Sequence, residues 1–335
     1  MKEALYYQRL ENQKVQCLLC PHHCIIAPGK RGICGVRENI EGTLYSLVYG
    51  KASSIALDPI EKKPLYHFYP GSAILSIGTV GCNFKCPFCQ NWSISQVTPE
   101  DIFLEEVNKD LLLGLALKNG SIGISYTYNE PFIWYEFVLD VAKYFKENNL
   151  KNVLVTNGFV EVEPFLEMAP YIDAMNIDIK SINEEFYRNL CKGSLKNVKK
   201  IIEIAYSKGI HIELTNLIIP GYNDSKEEII ALIDYVASIS PDIPLHFTRY
   251  FPAYKFTVPP TPIEILRFAY KEARKKLNFV YLGNIWDVEG STTFCPKCGK
   301  DLIVREGYFI RKNLLKTSNI CPYCDTSIPI HVGGR

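Results

Sequence analysis

The sequence Ile74-Leu-Ser-Ile-Gly-Thr-Val-Gly-Cys82-Asn-Phe-Lys-Cys86-Pro-Phe-Cys89-Gln-Asn-Trp92 joins an apolar run to three closely spaced cysteines. The apolar residues predict a buried strand, and the cysteines follow its end in a C-x3-C-x2-C pattern. Three thiolates at this spacing suit three corners of an iron–sulfur cube and leave one iron free to bind another molecule. A zinc loop with a fourth ligand from elsewhere is the alternative, although zinc sites usually pair cysteines as two C-x2-C knuckles.

Length and composition predict a large folded protein. The chain has 335 residues and 47% hydrophobic content, which suits two or three structural units with a sizeable core. Its 37 basic and 36 acidic residues leave a net charge of +1, so there is no strong nucleic-acid signal. The N-terminus lacks the apolar stretch of a signal peptide, and the longest apolar run, Leu111 to Leu117, is too short to span a bilayer. We therefore expect a cytoplasmic protein with no membrane partner.

Eleven of the twelve cysteines fall into three groups, which in a reducing compartment favours metal or cluster binding over disulfides. Cys191 stands alone, and a lone cysteine of this kind is usually a small inert hydrophobe, so we assign it no role. The group nearest the N-terminus has the pattern C-x2-C-x3-C-x9-C and consists of Cys17, Cys20, Cys24 and Cys34. It predicts a closed site for zinc or for a second iron–sulfur cluster, between which the spacing does not choose.

The last group consists of two knuckles with equal spacing, Cys295-Pro-Lys-Cys298 and Cys321-Pro-Tyr-Cys324. This pattern predicts a structural zinc ribbon, with rubredoxin-like iron binding as a lesser alternative. The ribbon also carries basic residues, namely Lys297, Lys300, Arg305, Arg311, Lys312 and Lys316. Such a set usually forms a solvated face, and the alternative is a surface that binds nucleic acid or another protein.

Between the cysteine groups, apolar strands alternate with helical segments, which predicts an α/β fold with parallel strands. The predicted strands are Ala73 to Val80, Ser121 to Tyr126, Asn152 to Thr156, Ile172 to Lys180, Ile210 to Leu217, Pro244 to Tyr250 and Asn278 to Leu282. The predicted helices are Leu104 to Leu117, Pro131 to Glu147, Val162 to Met168, Leu195 to Lys208, Ser225 to Ser238 and Pro262 to Lys276. Because six or seven units are too few for an eight-fold barrel, we expect a partial (β/α)6 TIM-like barrel over residues 72–290. A Cys-rich extension and connector, 1–71, would precede it, and the zinc ribbon, 291–335, would follow.

Three predicted strands alternate polar with apolar residues, so that each polar set shares one face. The sets are Asn176, Asp178 and Lys180; His211, Glu213 and Thr215; and His246, Thr248 and Tyr250. Since helices cover the outer face of a parallel barrel, these polar sets are expected to line its interior, late in the strands where such barrels build active sites.

The segment Lys51 to Gly71 contains paired lysines, Lys62 and Lys63, and the aromatic run Tyr66-His-Phe-Tyr69. We expect an ordinary connector packed on the outside of the barrel. The alternative is that this segment covers the barrel opening.

The C-x3-C-x2-C spacing, with Phe88 before the last cysteine, resembles the signature of the radical S-adenosylmethionine (SAM) superfamily. The resemblance implies a [4Fe-4S] cluster on Cys82, Cys86 and Cys89 whose open iron chelates SAM. It also implies that an electron from the cluster splits SAM to give a 5′-deoxyadenosyl radical, which abstracts a hydrogen atom from a substrate.

Motifs at the ends of later strands resemble those of activating enzymes of pyruvate formate-lyase type. Tyr126-Thr-Tyr-Asn-Glu130-Pro131 is similar to the "GGE" element that holds the SAM amino group, with Tyr128 and Asn129 in place of the glycines. Thr156-Asn157-Gly158 is similar to the turn that approaches the SAM ribose. The resemblance therefore assigns SAM contacts to Glu130 and Asn157, together with Phe88 of the cysteine loop.

Three more matches follow in the same order along the chain. Asp178-Ile-Lys180 resembles the Asp-x-Lys element, whose lysine faces the SAM carboxylate, so Lys180 is also a candidate catalytic residue. Ile219-Pro-Gly221 resembles the Val-Pro-Gly turn after the fifth strand, and His246 is similar to a histidine that contacts SAM.

The whole chain resembles a narrower group, the radical SAM enzymes of the AmmeMemoRadiSam system. The N-terminal Cys17-Leu-Leu-Cys20-Pro-His-His-Cys24 and Gly32-Ile-Cys34-Gly-Val-Arg37 carry much of this likeness. The resemblance implies an oxidoreductase-like enzyme that takes electrons from ferredoxin or flavodoxin and acts on a partner protein or a small molecule. Two alternatives remain: a multi-cluster electron carrier or metal-binding scaffold, and an RNA-interacting enzyme that uses the ribbon as its grip.

Overall fold

The computed structural model describes residues 1–333 and is built around one eight-stranded sheet. Seven strands run parallel and follow one another in the sheet in chain order: Ala73–Gly78, Gly123–Tyr126, Lys151–Thr156, Ala174–Asp178, His211–Ile218, Leu245–Arg249 and Val280–Gly283. An eighth strand, Ser54–Pro59, pairs antiparallel with the first parallel strand. The predicted α/β alternation is confirmed. The seven predicted strands and the six predicted helices between them are all present, and the seventh strand pairs with the sixth.

Six helices of seven or more residues lie in the described part of the chain: Lys109–Lys118, Tyr135–Glu147, Val162–Met168, Leu195–Ser207, Lys226–Ile239 and Ile263–Ala273. The first begins later than predicted because Asn108 caps it, accepting a hydrogen bond from the Leu111 N–H at 2.9 Å. Ser225 caps another helix as expected, by accepting from the Glu228 N–H. None of these helices is long and apolar enough to cross a membrane.

The polar sets of the strands face inward, and their apolar neighbours pack under the helices. Met175 and Ile177 are fully buried in the main hydrophobic core, whereas Asn176 between them accepts a hydrogen bond from the Thr215 hydroxyl of the next strand at 3.0 Å. Because successive side chains of a strand point to opposite faces, the alternation fixes an apolar outside and a polar inside. The interior is therefore available for polar chemistry at the carboxyl ends of the strands.

The connector has two parts: Ser54–Pro59 forms the edge strand, whereas residues 60–69 pack against the inner face of the sheet, so the prediction that the segment packs on the outside is wrong for residues 60–69. Its Leu65 and Phe68 are fully buried in a small apolar cluster with inward-facing residues of the sheet. The His67 N–H donates to Glu213 Oε1 at 2.7 Å. The strand side chains leave unfilled volume on the inner face of the sheet, and the apolar residues of this segment occupy it.

Small antiparallel sheets form the two ends of the chain. The N-terminal ones are Lys2–Glu3 with Thr43–Ser46 and Arg37–Ile40, and Tyr7–Arg9 with Val15–Cys17 and Ile25–Ile26. The C-terminal sheet contains Thr293–Phe294, Asp301–Glu306 and Phe309–Asn313. The prediction of a solvated basic face is wrong for Arg305, which is fully buried. Its Nη2 donates a hydrogen bond to the Tyr66 carbonyl at 2.7 Å, which fixes the ribbon to the connector.

Candidate active site and metal centres

A cavity of about 400 Å³ opens where the parallel strands end. Eight of the predicted site residues line it: Cys82, Cys86, Phe88, Cys89, Glu130, Asn157, Asp178 and Lys180. They come from the segments that end or follow the first four parallel strands, and carboxyl ends of parallel strands meet at one edge of the sheet. The fold therefore brings residues that are far apart in the sequence to one site.

Hydrogen-bond donors point at the Cys82 sulfur. The Phe84 N–H donates to it at 3.3 Å and Asn157 Nδ2 at 3.7 Å. Asn83 fixes this arrangement, since its Oδ1 accepts from Asn157 Nδ2 at 2.9 Å. Burial raises the pKa of the Cys82 thiol, and a bound metal centre reverses this by deprotonating it. Three cysteines facing one cavity, with N–H groups aimed at a sulfur, fit an iron–sulfur cluster held by thiolates.

Glu130 is buried, and its carboxylate joins the ends of two strands. It accepts from the Asn157 N–H and the Thr156 hydroxyl, each at 2.8 Å, and from the Phe132 N–H at 3.0 Å. Burial raises the pKa of Glu130 to about 7, although these hydrogen bonds act against the shift. The group therefore changes charge near neutral pH, inside the cavity.

Asp178 and Lys180 form an ion pair on the cavity wall, with Lys180 Nζ donating to Asp178 Oδ2 at 2.9 Å. Burial alone would lower the pKa of Lys180, but the charges of Asp178 and of the Cys86 sulfur raise it. Lys180 therefore stays protonated and supplies a fixed positive charge beside the cysteines.

The connector also contributes to this cavity, which fits the alternative interpretation that this segment covers the opening at the strand ends. Lys62 and Lys63 line it and both bind Asp58, which Lys63 Nζ reaches at 2.6 Å. Burial lowers the pKa of Lys63 to about 8. Tyr128 also donates to Asp58, and its φ of +74° is the left-handed conformation that glycine adopts without strain. The paired lysines of the connector were the sequence signal for its contribution to the cavity.

His246 is not among the residues that line the cysteine cavity. It lies on a neighbouring cavity of about 280 Å³, where its Nε2 is 2.6 Å from Glu213 Oε2. The Tyr66 and Tyr281 rings pack against it, with centroid distances of 4.9 and 5.1 Å. The two cavities adjoin and share five lining residues, namely Lys62, Pro64, Thr248, Asn284 and Tyr308, and the SAM contact assigned to His246 stays a prediction.

The N-terminal cysteines lie beside the three-cysteine loop. His22, within this cysteine group, is hydrogen-bonded through Nε2 to the Asn83 carbonyl at 2.8 Å. Arg37 donates to the Cys17 sulfur at 3.5 Å and also pairs with Glu136. These contacts place a second candidate metal centre next to the first.

Gly81 allows this close approach. Its φ is +86°, and a Cβ added there would lie 2.6 Å from the Cys34 carbonyl oxygen. We therefore expect Gly81→Ala to separate the two cysteine groups and to lower stability by about 1 to 3 kcal/mol beyond the cost of its φ. Thermal unfolding and bound iron measure the effect. Gly209→Ala is the matched control, since Gly209 has a φ of +73° with no atom within 4 Å of the added Cβ. Equal losses in the two variants would contradict the prediction.

The C-terminal cysteines form a compact group in which all four sulfurs lie within 4.8 Å of one another. Cys295 and Cys324 are 3.5 Å apart at sulfur, and Cys298 and Cys321 are 3.8 Å apart. A tetrahedral ion with metal–sulfur bonds of about 2.3 Å sets sulfur–sulfur distances of about 3.8 Å. The group therefore has the geometry for a single metal ion.

Comparisons with known proteins agree with this site. A sequence model of the radical SAM superfamily matches residues 76–235, which contain the end of the first parallel strand, the three-cysteine loop and the next four parallel strands. An uncharacterised protein of Methanocaldococcus jannaschii is 46% identical over 334 residues, covering 98% of this chain and 99% of that protein. The pyruvate formate-lyase-activating enzyme of Clostridium pasteurianum is 23% identical over 48% of this chain and 67% of that enzyme. The 4-hydroxyphenylacetate decarboxylase activating enzyme of Clostridium scatologenes is 25% identical over 45% of this chain and 52% of that enzyme. The chain therefore contains a domain of the radical SAM superfamily over residues 76–235, which implies a [4Fe-4S] cluster and SAM as its cofactors.

Proposed function

We propose that this chain cleaves SAM reductively and directs the resulting radical at a polypeptide, as glycyl-radical-enzyme activating enzymes do. The observation that carries the proposal is the single cavity that gathers three cysteines with Glu130 and Lys180. The similarity to two activating enzymes supports the choice of a polypeptide over a small molecule.

The side chains around the cavity have separate tasks in this proposal. When bound to Cys82, Cys86 and Cys89, a [4Fe-4S] cluster supplies the electron that splits SAM into methionine and a 5′-deoxyadenosyl radical. The Glu130 carboxylate accepts hydrogen bonds from the SAM ammonium group, and Lys180 offers a positive charge to the SAM carboxylate. Both groups are fixed by their own partners before SAM arrives, which reduces the entropy lost on binding and orients the reacting bond.

The pKa of Glu130 predicts how SAM binding depends on pH. Because that pKa is raised to about 7, the carboxylate is mostly protonated at about pH 6 and mostly ionised at about pH 8. An ammonium group binds the ionised form, so we expect SAM affinity to fall about tenfold over this interval as pH decreases. Anaerobic equilibrium dialysis with the reconstituted protein measures it. Glu130→Gln should bind SAM weakly with little dependence on pH, and an equally steep pH profile in that variant would refute the assignment.

The outer cysteine groups complete the proposed metal inventory. We propose zinc at Cys295, Cys298, Cys321 and Cys324, where the sulfur spacing suits one ion. The N-terminal group is proposed to hold a metal centre as well, either zinc or a second iron–sulfur cluster. Iron and zinc counts on one anaerobically prepared sample distinguish these, since a second cluster adds four irons per chain. A cytosolic ferredoxin or flavodoxin is the proposed electron donor.

The test of the function follows hydrogen transfer to 5′-deoxyadenosine. A deuterium-labelled cell extract is first separated into macromolecules and small molecules. The reconstituted protein is reduced with dithionite and mixed with SAM, and each fraction is added to a separate reaction. We expect 5′-deoxyadenosine to form, and to gain deuterium from the macromolecular fraction only. Deuterium from the small-molecule fraction alone would contradict the polypeptide substrate, and no 5′-deoxyadenosine in any reaction would contradict SAM cleavage itself.

A further inference from the structure

His246 is held in a hydrogen-bonded pair on the inner face of the sheet and keeps one ring nitrogen without a partner. Its Nε2 donates to Glu213 Oε2 at 2.6 Å. Burial alone would raise the pKa of Glu213, but hydrogen bonds from His211 and His246 lower it, so the carboxylate is ionised and the shared proton lies on Nε2. Among residues 1–333, no group is hydrogen-bonded to His246 Nδ1, which in the neutral ring is a free acceptor.

A second buried histidine shows how a structural histidine is satisfied in this interior. His67 uses both ring nitrogens: Nδ1 is 3.0 Å from the Pro329 carbonyl oxygen, and Nε2 is 2.7 Å from the Tyr281 hydroxyl oxygen. Buried polar atoms normally have such partners. The free Nδ1 of His246 therefore indicates a partner that a bound molecule supplies.

His246 lines the cavity of about 280 Å³ that adjoins the cysteine cavity. His246 and Thr248 are two residues apart on one strand, so both side chains face inward, about 7 Å apart along the strand. Thr248 lines both cavities. A molecule bound beside His246 can therefore extend into the cavity where the radical is proposed to form.

Aromatic residues from two segments stand at the rim of this cavity. Trp286 follows the last parallel strand, and Tyr308 lies in a turn of the ribbon. Their exposed fractions are 84% and 46%. A Cβ added at Gly307 would lie 3.7 Å from the Trp286 ring, which places the two segments side by side. Large aromatic side chains exposed in this way are typical of surfaces that bind polypeptides.

The charged side chains that line this cavity already have partners within the chain. The pairs are Glu61 with Arg305, Lys62 with Asp58 and Glu306 with Arg311, and Asp287 accepts from the Gly290 N–H. Glu61 Oε2, like His246 Nδ1, has no hydrogen-bond partner among residues 1–333. An uncharged group that donates hydrogen bonds fits such a lining, since a further charge would be buried without a partner.

We propose that this cavity binds the polypeptide substrate through an uncharged group, a hydroxyl or an amide, that donates a hydrogen bond to His246 Nδ1. Glu213 is a positioning residue in this role, because it fixes the ring and keeps the proton on Nε2 without touching the substrate. A neighbouring residue of the substrate then reaches the cysteine cavity and loses its hydrogen atom there. The inference rests on the proposed function and deepens it by naming the site that selects the polypeptide.

The experiment uses the labelling assay described above, with the deuterium-labelled macromolecular fraction as the probe. Its readout is the deuterium gained per 5′-deoxyadenosine formed, which reports coupling to the substrate separately from SAM cleavage. His246→Gln keeps a donor for Glu213 but places no acceptor at the Nδ1 position, whereas the shorter His246→Asn places one there. We expect the readout to fall about tenfold in the Gln variant and about threefold or less in the Asn variant.

A second pair of variants does not alter the buried histidine. Trp286→Ala removes an exposed ring at the rim and should lower the same readout about fivefold. Phe103→Ala is the matched control, since Phe103 is 88% exposed and is not among the residues that line the two described cavities. It should match the parent protein.

The outcomes separate this inference from the proposed function. An unchanged readout in His246→Gln overturns the inference and leaves the enzyme assignment in place, and weaker SAM binding with that unchanged readout would assign His246 to SAM instead. Equal losses in the Gln and Asn variants also overturn it, because the ring would then be needed for something other than Nδ1. If loss of iron or a lower melting temperature shows that the Gln protein is damaged, a parental readout in Trp286→Ala overturns it. A parent protein that gains no deuterium from macromolecules contradicts the proposed function itself.

Discussion

Cys86→Ala is expected to form no measurable 5′-deoxyadenosine when the reduced protein meets SAM. We expect at least about a thousandfold loss of rate, equivalent to about 4 kcal/mol in the activation barrier. The reason is that Cys86 is buried on the wall of the candidate site, and loss of one of three thiolates leaves two ligands for a cluster that needs three. The assay is anaerobic turnover with quantification of 5′-deoxyadenosine and of bound iron.

The control for this variant lies in the same loop. Ser93 is exposed and follows Cys89 closely in the sequence, so Ser93→Ala should keep both iron and activity. Cys82→Ala and Cys89→Ala should behave like Cys86→Ala, because all three cysteines line the same cavity. A Cys86→Ala protein that still binds its full iron and cleaves SAM would refute the placement of the cluster.

Cys321→Ala is expected to unfold the C-terminal ribbon. Cys321 is fully buried among four sulfurs that fit one metal ion, and structural zinc contributes on the order of 10 kcal/mol to the folding of such small units. We expect loss of one bound metal ion per chain, rapid proteolysis within residues 293–333 and a lower melting temperature for the whole protein. Limited proteolysis with mass spectrometry and metal analysis measure these effects.

Unfolding of the ribbon should also destabilise the parallel sheet, because buried polar contacts join the two. Arg305 lies 3.5 Å from Glu61 of the connector, with both side chains fully buried. Tyr281 of the last parallel strand is hydrogen-bonded to Thr293 at 2.8 Å. Lys297→Ala is the matched control, since Lys297 is exposed and lies within the first knuckle. A ribbon that resists proteolysis in Cys321→Ala would show that its fold does not depend on the metal.

The seven parallel strands were predictable because each is a short apolar run, and a helical segment follows each of the first six. The residues at which helices and strands begin and end were less predictable. Apolar spacing predicts a helix from Leu104, but the Asn108 side chain caps the helix and it begins at Lys109. The position of residues 60–69 on the inner face of the sheet was not predictable, because it depends on the apolar volume that the assembled strands leave unfilled.

Among the candidate site residues, those with a fixed spacing to a strand end were accessible from the sequence. Glu130, Asn157 and Lys180 each follow a strand, and parallel strands place such residues at one edge. His246 follows the same logic along the chain, but the fold gives it Glu213 as a partner and a different cavity. Alternation shows which face a side chain occupies and does not show which neighbour it meets.

Local order in the sequence was sufficient for the α/β class, the three cysteine groups and the choice of residues at the strand ends, since strand periodicity and ligand spacing are short-range properties. Contacts between distant segments depended on the tertiary structure: Tyr128 on Asp58 at the cavity wall, His22 on the Asn83 carbonyl, and Arg305 on the Tyr66 carbonyl. These contacts form only when the chain has folded, because the residues that make them are far apart in the sequence and no local spacing determines the distance between them.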